Sequence, residues 1–351
     1  MTSAARPHSR LAMLDILNNY SLKAHNTFGV DATARYFVAV YTDAELQAAL
    51  NNPQFNDLPR LILGSGSNIL LTADFPGVVI RVNLKGKRIV ERDAAATYVE
   101  VAAGENWHEF VCWTLAQGWA GLENLSLIPG SVGAAPMQNI GAYGVELKDT
   151  FHSLTALDSV TGLVKTFARD ACRFGYRDSV FKRELKDRVV ITHVTFRLPH
   201  DAPLRLDYGD VRAELAQMGV SSPTTRDVSL AVINIRRRKL PDPAQIGNAG
   251  SFFKNPVITR NEFERLRALH ETLPHFPVHE GHVKVPAGWL IEQAGWKGRC
   301  LGRAGVHEQH ALVLVNLGGA SGAEVLALAQ AVQLAVRDQF GIALEAEPVI
   351  I

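Results

Sequence analysis

The chain has 351 residues, 47% of them hydrophobic and 20% charged, with a formal net charge of +1. That length predicts two or three domains, with enough apolar material for full cores. A charge so near zero draws the protein to neither nucleic acid nor an anionic membrane, so neither partner is expected and anions must be held by local clusters.

Residues 1–20 read as a weakly ordered lead-in, with scattered Arg and His but no apolar run of signal-peptide length. A strand is predicted over Tyr36–Tyr41, then a helix capped by Thr42 with Asp43 and Glu45 in its first turn. A buried strand at Arg60–Leu63 runs into Gly64-Ser65-Gly66-Ser67-Asn68. Strands at Val78–Val82 and Tyr98–Ala102 and a helix over Asn106–Gln117 complete a β/α opening half. Residues 127–144 hold two prolines and four glycines with few charges, as backbone placed against a ligand would. A hairpin turn at Asp158–Gly162 and a long strand at Val189–Leu198 follow. Pro241-Asp242-Pro243 makes a boundary that no helix crosses. Beyond it lie helices at Asn261–His270, Pro286–Ala294 and Ala320–Phe340, a strand at Ala311–Asn316, and a strand-like end from Ile342 to Ile351. The most apolar late stretch, Ala323–Val336, is interrupted by Glu324, Gln330 and Gln333, and nothing reaches transmembrane length. Cys112, Cys172 and Cys300 fit no zinc spacing or disulfide framework, which points to a reducing cytoplasm. His307 and His310 lack a third ligand, so no metal is expected.

The strand exit Gly64–Asn68 suits an anion. Glycine permits φ > 0 and close backbone approach, and successive N–H groups converge on phosphate oxygens. It is not a Rossmann turn, because the third glycine position falls on Ile69 and no ribose-binding acid follows. Nor is it a Walker loop, which needs Gly-Lys-Ser/Thr. An ordinary turn would explain this loop alone. Together with Ala103-Gly104 and residues 129–144, it predicts one long diphosphate-containing cofactor.

Several segments in order then carry a resemblance. They are Gly64–Asn68, Gly104-Glu105-Asn106-Trp107, Gly121-Leu122-Glu123-Asn124-Leu125, Ile128-Pro129-Gly130-Ser131-Val132-Gly133 and Gln138-Asn139-Ile140-Gly141-Ala142-Tyr143-Gly144. Arg173–Ser179, Lys239–Pro243, Gly250–Pro256 and Ala287–Ile291 continue it. From about residue 20 onward the chain resembles the UDP-N-acetylenolpyruvoylglucosamine reductase family. The resemblance implies an α+β fold: an FAD-binding domain of the vanillyl-alcohol-oxidase (PCMH) type over 21–240, in subdomains of about 21–88 and 89–240. An α+β substrate-binding domain over 241–351 would follow. It also implies bound FAD, NADPH as reductant and a UDP-N-acetylglucosamine enolpyruvyl ether as substrate; a monomer is expected. NADPH and substrate would use one cleft in turn, so no second dinucleotide domain is needed. The matching FAD contacts are Gly64, Ser65, Gly66, Ser67, Asn68, Gly104, Pro129, Gly130, Ser131, Gly133, Asn139, Ile140, Gly141, Ala142 and Tyr143.

Reducing an enolpyruvyl ether adds hydride to the terminal carbon and a proton to its neighbour. Charge gathers at the carboxylate end, so the site needs a fixed cation and a positioned acid. By resemblance Arg177 is the cation, Ser251 the proton donor and Glu347 the third catalytic residue. Strand alternation would point Glu345 and Glu347 the same way; Glu347 is favoured. Tyr208, Lys239 and Asn255 match substrate contacts. Within the basic run Arg236–Lys239 only Lys239 is assigned, because such runs are usually solvated helix faces. The competing readings are an alcohol or lactone oxidase on the same flavin fold and a non-catalytic flavin-binding protein. Oxidases of this kind often attach flavin through a His near the phosphate loop, and residues 60–72 contain none.

Overall fold

The computed structural model describes residues 14–278 and 280–351. Alternation decides its first sheet. Along Phe75–Val82, Val78, Ile80 and Val82 enter one apolar cluster and Val79 enters another, so both faces are buried. Burial on both faces suits a parallel arrangement, and the strand pairs in parallel with Thr33–Val40 and Arg60–Leu63. The helix Asp43–Leu50 covers one face, and the Thr42 hydroxyl accepts the Glu45 N–H at 3.1 Å as its cap.

Leu17–Ser21 adds an antiparallel edge to Thr33–Val40. The end of the expected lead-in is therefore paired strand, although its side chains are mostly exposed. Residues 1–13 of the lead-in lie outside the described residues.

The second sheet is antiparallel, in the order Val164–Ala168, Phe151–Asp158, Val189–Pro199, Ala96–Ala102, Lys87–Arg92. Asp158 shapes the hairpin turn by accepting the N–H groups of Val160 and Thr161, each at 3.0 Å. The helix Trp107–Ala116 packs Trp107 and Phe110 against Phe196. Ala102, Leu157 and Val190 of this sheet join the first sheet's core, which locks the two halves together. A helix pair, Val211–Gln217 and Thr225–Lys239, follows with its own small core.

The last unit is a four-stranded sheet built on Gly247–Ser251 and Val313–Asn316, covered by the helices Ala287–Gln293 and Gly322–Phe340. Its core also takes Phe28, Val30 and Leu70, so the N-terminal part of the chain is clamped to it. The long helix starts at Gly322, because Ser321 and Glu324 form a reciprocal capping box there. The expected terminal strand from Ile342 to Ile351 shrinks to Val349–Ile350, paired in parallel with Ile69–Leu70 directly after the Gly/Ser loop. Among the described residues no helix is long and apolar enough to cross a membrane. The mixed helix and strand content is the α+β class expected.

Candidate active site

The Gly64–Asn68 loop leaves the strand Arg60–Leu63 with Gly66 at φ +67°. A Cβ there would lie 1.9 Å from the His25 carbonyl oxygen, so only glycine fits. A Cβ on Gly64 would lie 2.4 Å from the Ser131 hydroxyl, which shows how closely the two small-residue loops meet. Between them opens a cavity of about 300 Å³, lined by Gly64 to Asn68, Pro129 to Ser131, Gln138, Ile140 and Gly141. Arg177, Lys182, Arg236, Ser251 and Glu347 line the same cavity.

A second cavity of about 750 Å³ shares Ile128, Pro129, Arg236, Leu240 and Gly250 with the first, and adds Asn106, His108 and Asn248. Arg236 stands at the join. Its Nε donates to the Leu127 carbonyl at 3.3 Å, and among the described residues no carboxylate pairs with it. Burial disfavours its charged form. A desolvated guanidinium without an anion suits a ligand that brings one.

Arg177 sits in a tight turn whose ends, Gly175 and Asp178, exchange backbone hydrogen bonds of 3.0 and 3.4 Å. Its φ is +53°, a conformation that usually selects glycine or asparagine. The side chain is held at two points: Nη2 donates to the Gly141 carbonyl at 2.7 Å, and Nε pairs with Glu347 Oε1 at 3.1 Å. Gly141 permits this approach, since a Cβ there would lie 3.1 Å from Arg177 Nη1. Lys182 Nζ donates to the Arg177 carbonyl at 3.4 Å. The backbone strain at Arg177 is thus held in place by contacts at two points of its side chain.

Glu347 and Ser251 come together through an isolated bridge between Phe253 and Ala346, with the Glu347 N–H donating to the Phe252 carbonyl at 2.8 Å. Burial pushes the Glu347 carboxyl up, while the Arg177, Lys182 and Lys254 charges pull it back. Glu345 is different: it pairs with Lys254 and its side chain is 71% exposed, against 13% for Glu347. The two glutamates do not share a face, because the segment is too irregular to alternate. Geometry separates what spacing could not.

Some expected cofactor contacts stand outside the cavity. Gly104 and Gly133 serve backbone packing; their Cβ atoms would meet Leu84 N at 2.6 Å and the Ala103 Cβ at 2.4 Å. Asn139, fully buried at φ +46°, ties the Arg177 turn in place by donating to the Gly175 carbonyl at 3.0 Å. Ala142 pairs with Val145 in a short ladder, and Tyr143 packs on the helix pair. Nor do the three expected substrate contacts line the cavity. Tyr208 stacks on Phe276 with centroids 6.2 Å apart, Lys239 pairs with Asp210, and Asn255 Oδ1 accepts the Ala287 N–H at 2.9 Å.

Conversely, Gln138, Lys182 and Arg236 line the cavity without having been singled out as site residues. Arg236 had a signal. Val228, Val232 and Ile235 form the buried stripe of its helix, and position 236 flanks that stripe, while the more exposed Arg237 and Arg238 line only the second cavity.

Comparison with known proteins decides the family. A family model described as FAD binding domain matches residues 34–168, and one described as UDP-N-acetylenolpyruvoylglucosamine reductase, C-terminal domain, matches residues 242–351. The UDP-N-acetylenolpyruvoylglucosamine reductase of Paraburkholderia xenovorans (strain LB400) is 56% identical over 335 residues, covering 95% of this chain and 97% of its own. The chain belongs to the UDP-N-acetylenolpyruvoylglucosamine reductase family. The Paraburkholderia phymatum reductase is 55% identical over 96% of this chain and 98% of its own. Among solved structures, the reductase of Thermus caldophilus aligns with a TM-score of 0.64 at 24% identity, over 96% of this chain and 98% of that one. p-Cresol methylhydroxylase with substrate bound aligns at 0.51 with 12% identity, over 93% and 84%. Those two likenesses show the fold, and the two family models divide it into an FAD-binding domain and the reductase C-terminal domain. This reductase-family chain is an FAD-dependent oxidoreductase of peptidoglycan precursor synthesis.

Proposed function

We propose that residues lining the two cavities would hold FAD, and that Arg177, Ser251 and Glu347 assist the NADPH-driven reduction of the enolpyruvyl ether of UDP-N-acetylglucosamine to UDP-N-acetylmuramate. The observation that carries the reading is the Arg177 guanidinium, fixed between Gly141 and Glu347 in the cavity shared by the Gly/Ser loop and Ser251. The residues fit the cofactor. Gly64 to Asn68 and Pro129 to Ser131 offer small, hydroxyl-bearing walls for a diphosphate, with Arg236 as the unpaired cation beside them. Residues of the second cavity, Asn106 and Asn248 among them, would hold the rest of the cofactor.

When bound, the flavin supplies hydride transfer from NADPH to the terminal carbon of the enolpyruvyl group. The protein's residues do the rest. Arg177 binds the substrate carboxylate and stays charged as enolate character grows on it. Glu347, ionised, keeps the guanidinium plane aimed. The Ser251 hydroxyl gives its proton to the carbon beside the carboxylate, and Lys254 and Lys182 offset the alkoxide left behind. Tyr208, Lys239 and Asn255 meet the sugar nucleotide outside the cavity, with a phosphate displacing Asp210 from Lys239. A sugar-nucleotide substrate, NADPH and three free cysteines suit the cytoplasm.

The test is NADPH oxidation with and without the enolpyruvyl sugar nucleotide, with the product identified by mass. Consumption that requires this substrate and yields the lactyl ether supports the reading; consumption indifferent to it overturns the reading. A second outcome concerns the cofactor. Arg236→Met is expected to weaken FAD retention roughly 10–100-fold by removing a charge-assisted hydrogen bond, read by flavin release on dilution. Riboflavin, which carries no phosphate, should bind the variant and the parent protein alike.

A further inference from the structure

Glu347 is held by more than Arg177. Gln138 ends the 3-10 helix Val132–Gln138, and its Nε2 donates to Glu347 Oε1 at 3.4 Å. The other end of that amide is taken: Gln138 Oε1 accepts from Asn68 Nδ2 at 2.8 Å. Asn68 Nδ2 also donates to the Glu347 main-chain carbonyl at 3.3 Å, and the Asn68 carbonyl accepts the Val349 N–H at 3.0 Å. Asn68 closes the Gly/Ser loop, so loop, amide and terminal glutamate form one connected unit.

The chemistry of an amide makes the order matter. A glutamine can present either its carbonyl or its NH2 group to a carboxylate, and only the second is favourable. With Asn68 donating to the carbonyl, the NH2 group is the one that faces Glu347. From these contacts we infer that Asn68 and Gln138 form an amide relay that orients Glu347 and keeps it ionised, with Gln138 a positioning residue for the reduction.

Other groups facing Glu347 are Arg177 from the turn, Lys182 from the 3-10 helix after it, and Lys254 from the segment after Ser251; Tyr176 lies beside Arg177, and Glu345 pairs with Lys254. Burial works against the ionised carboxylate, the three cations support it, and Gln138 adds a neutral donor. Removing that donor destabilises the ionised form. The pH below which the glutamate takes up a proton therefore rises.

The inference rests on the proposal that ionised Glu347 acts in substrate reduction, and the experiment separates the two. Reoxidation of NADPH-reduced flavin by the enolpyruvyl substrate is followed against pH in the holoenzyme, in Gln138→Leu, in Gln138→Glu and in Glu347→Gln. Flavin content and melting temperature report whether each variant keeps its fold; the two Gln138 variants back each other. The expected result is an acid limb that moves up by about one pH unit in Gln138→Leu and further in Gln138→Glu, where a second carboxylate opposes the first. Glu347→Gln should have no such limb. If Glu347→Gln removes the limb but both Gln138 variants keep it where the parent enzyme has it, the relay is overturned and Glu347 stands. A limb unchanged in Glu347→Gln overturns both.

Discussion

Ser251→Ala is expected to divide the reaction at its midpoint: NADPH still bleaches the flavin, but reoxidation by the enolpyruvyl substrate slows about 10²–10⁴-fold, the usual worth of a positioned general acid. Ser251 ends the strand Gly247–Ser251 and lines the cavity with Arg177 and Glu347. An isolated serine is too weak an acid for the task. Here Lys254, whose side chain is only 16% exposed, and Lys182, which burial inclines to give up its charge, stand near the same carboxylate. In the proposed mechanism these lysines offset the alkoxide. The backbone path of the strand is set by pairing with Val313 and does not depend on the hydroxyl, so the melting temperature should hardly move. Stopped-flow absorbance of the flavin reads both halves, and reoxidation at the parent rate would remove Ser251 from the chemistry.

Arg177→Met should have the second large effect. It deletes the cation proposed to meet the substrate carboxylate, and loss of one such transition-state donor lowers kcat about 10²–10³-fold. Arg177→Lys should recover only part of this. A point charge cannot hold the Gly141 carbonyl, Glu347 and a carboxylate in one plane as the guanidinium does. Arg177→Met also leaves Glu347 buried without its nearest cation, so its carboxyl is pushed further up and takes a proton at higher pH. Steady-state kcat and KM across pH check both statements; a kcat near the parent value in the Met variant would contradict them.

The sequence exposes some of this and hides the rest for physical reasons. The Gly64–Asn68 loop is legible because φ > 0 and a 1.9 Å approach to His25 leave no residue but glycine, so composition records geometry. Gly104 and Gly133 show the limit of the same signal: they too exclude a side chain, but against neighbouring backbone and Ala103, not at the cavity. Strand and helix positions such as Arg60–Leu63 and the Thr42 cap follow from local periodicity and capping. The terminal glutamates do not, since alternation presumes a strand, and residues 345–347 are shaped by pairing with Phe252 to Lys254 across the fold. Lys182 carries no local mark, and Gln138 only opens a segment in which Asn139 to Tyr143 are the residues assigned. Their significance arises only when residues 68, 138, 177 and 347 are brought together. The resemblance reached Arg177, Ser251 and Glu347 through their motifs; their mutual placement is a property of the folded chain.

One measurement bears most directly on the account. The purified holoenzyme is reduced by one equivalent of NADPH without oxygen, and UDP-N-acetylglucosamine enolpyruvate is then added. Flavin colour is expected to return in proportion to the substrate added, with an equal amount of UDP-N-acetylmuramate formed. Flavin that stays bleached with this substrate and regains colour only when oxygen is admitted would contradict it.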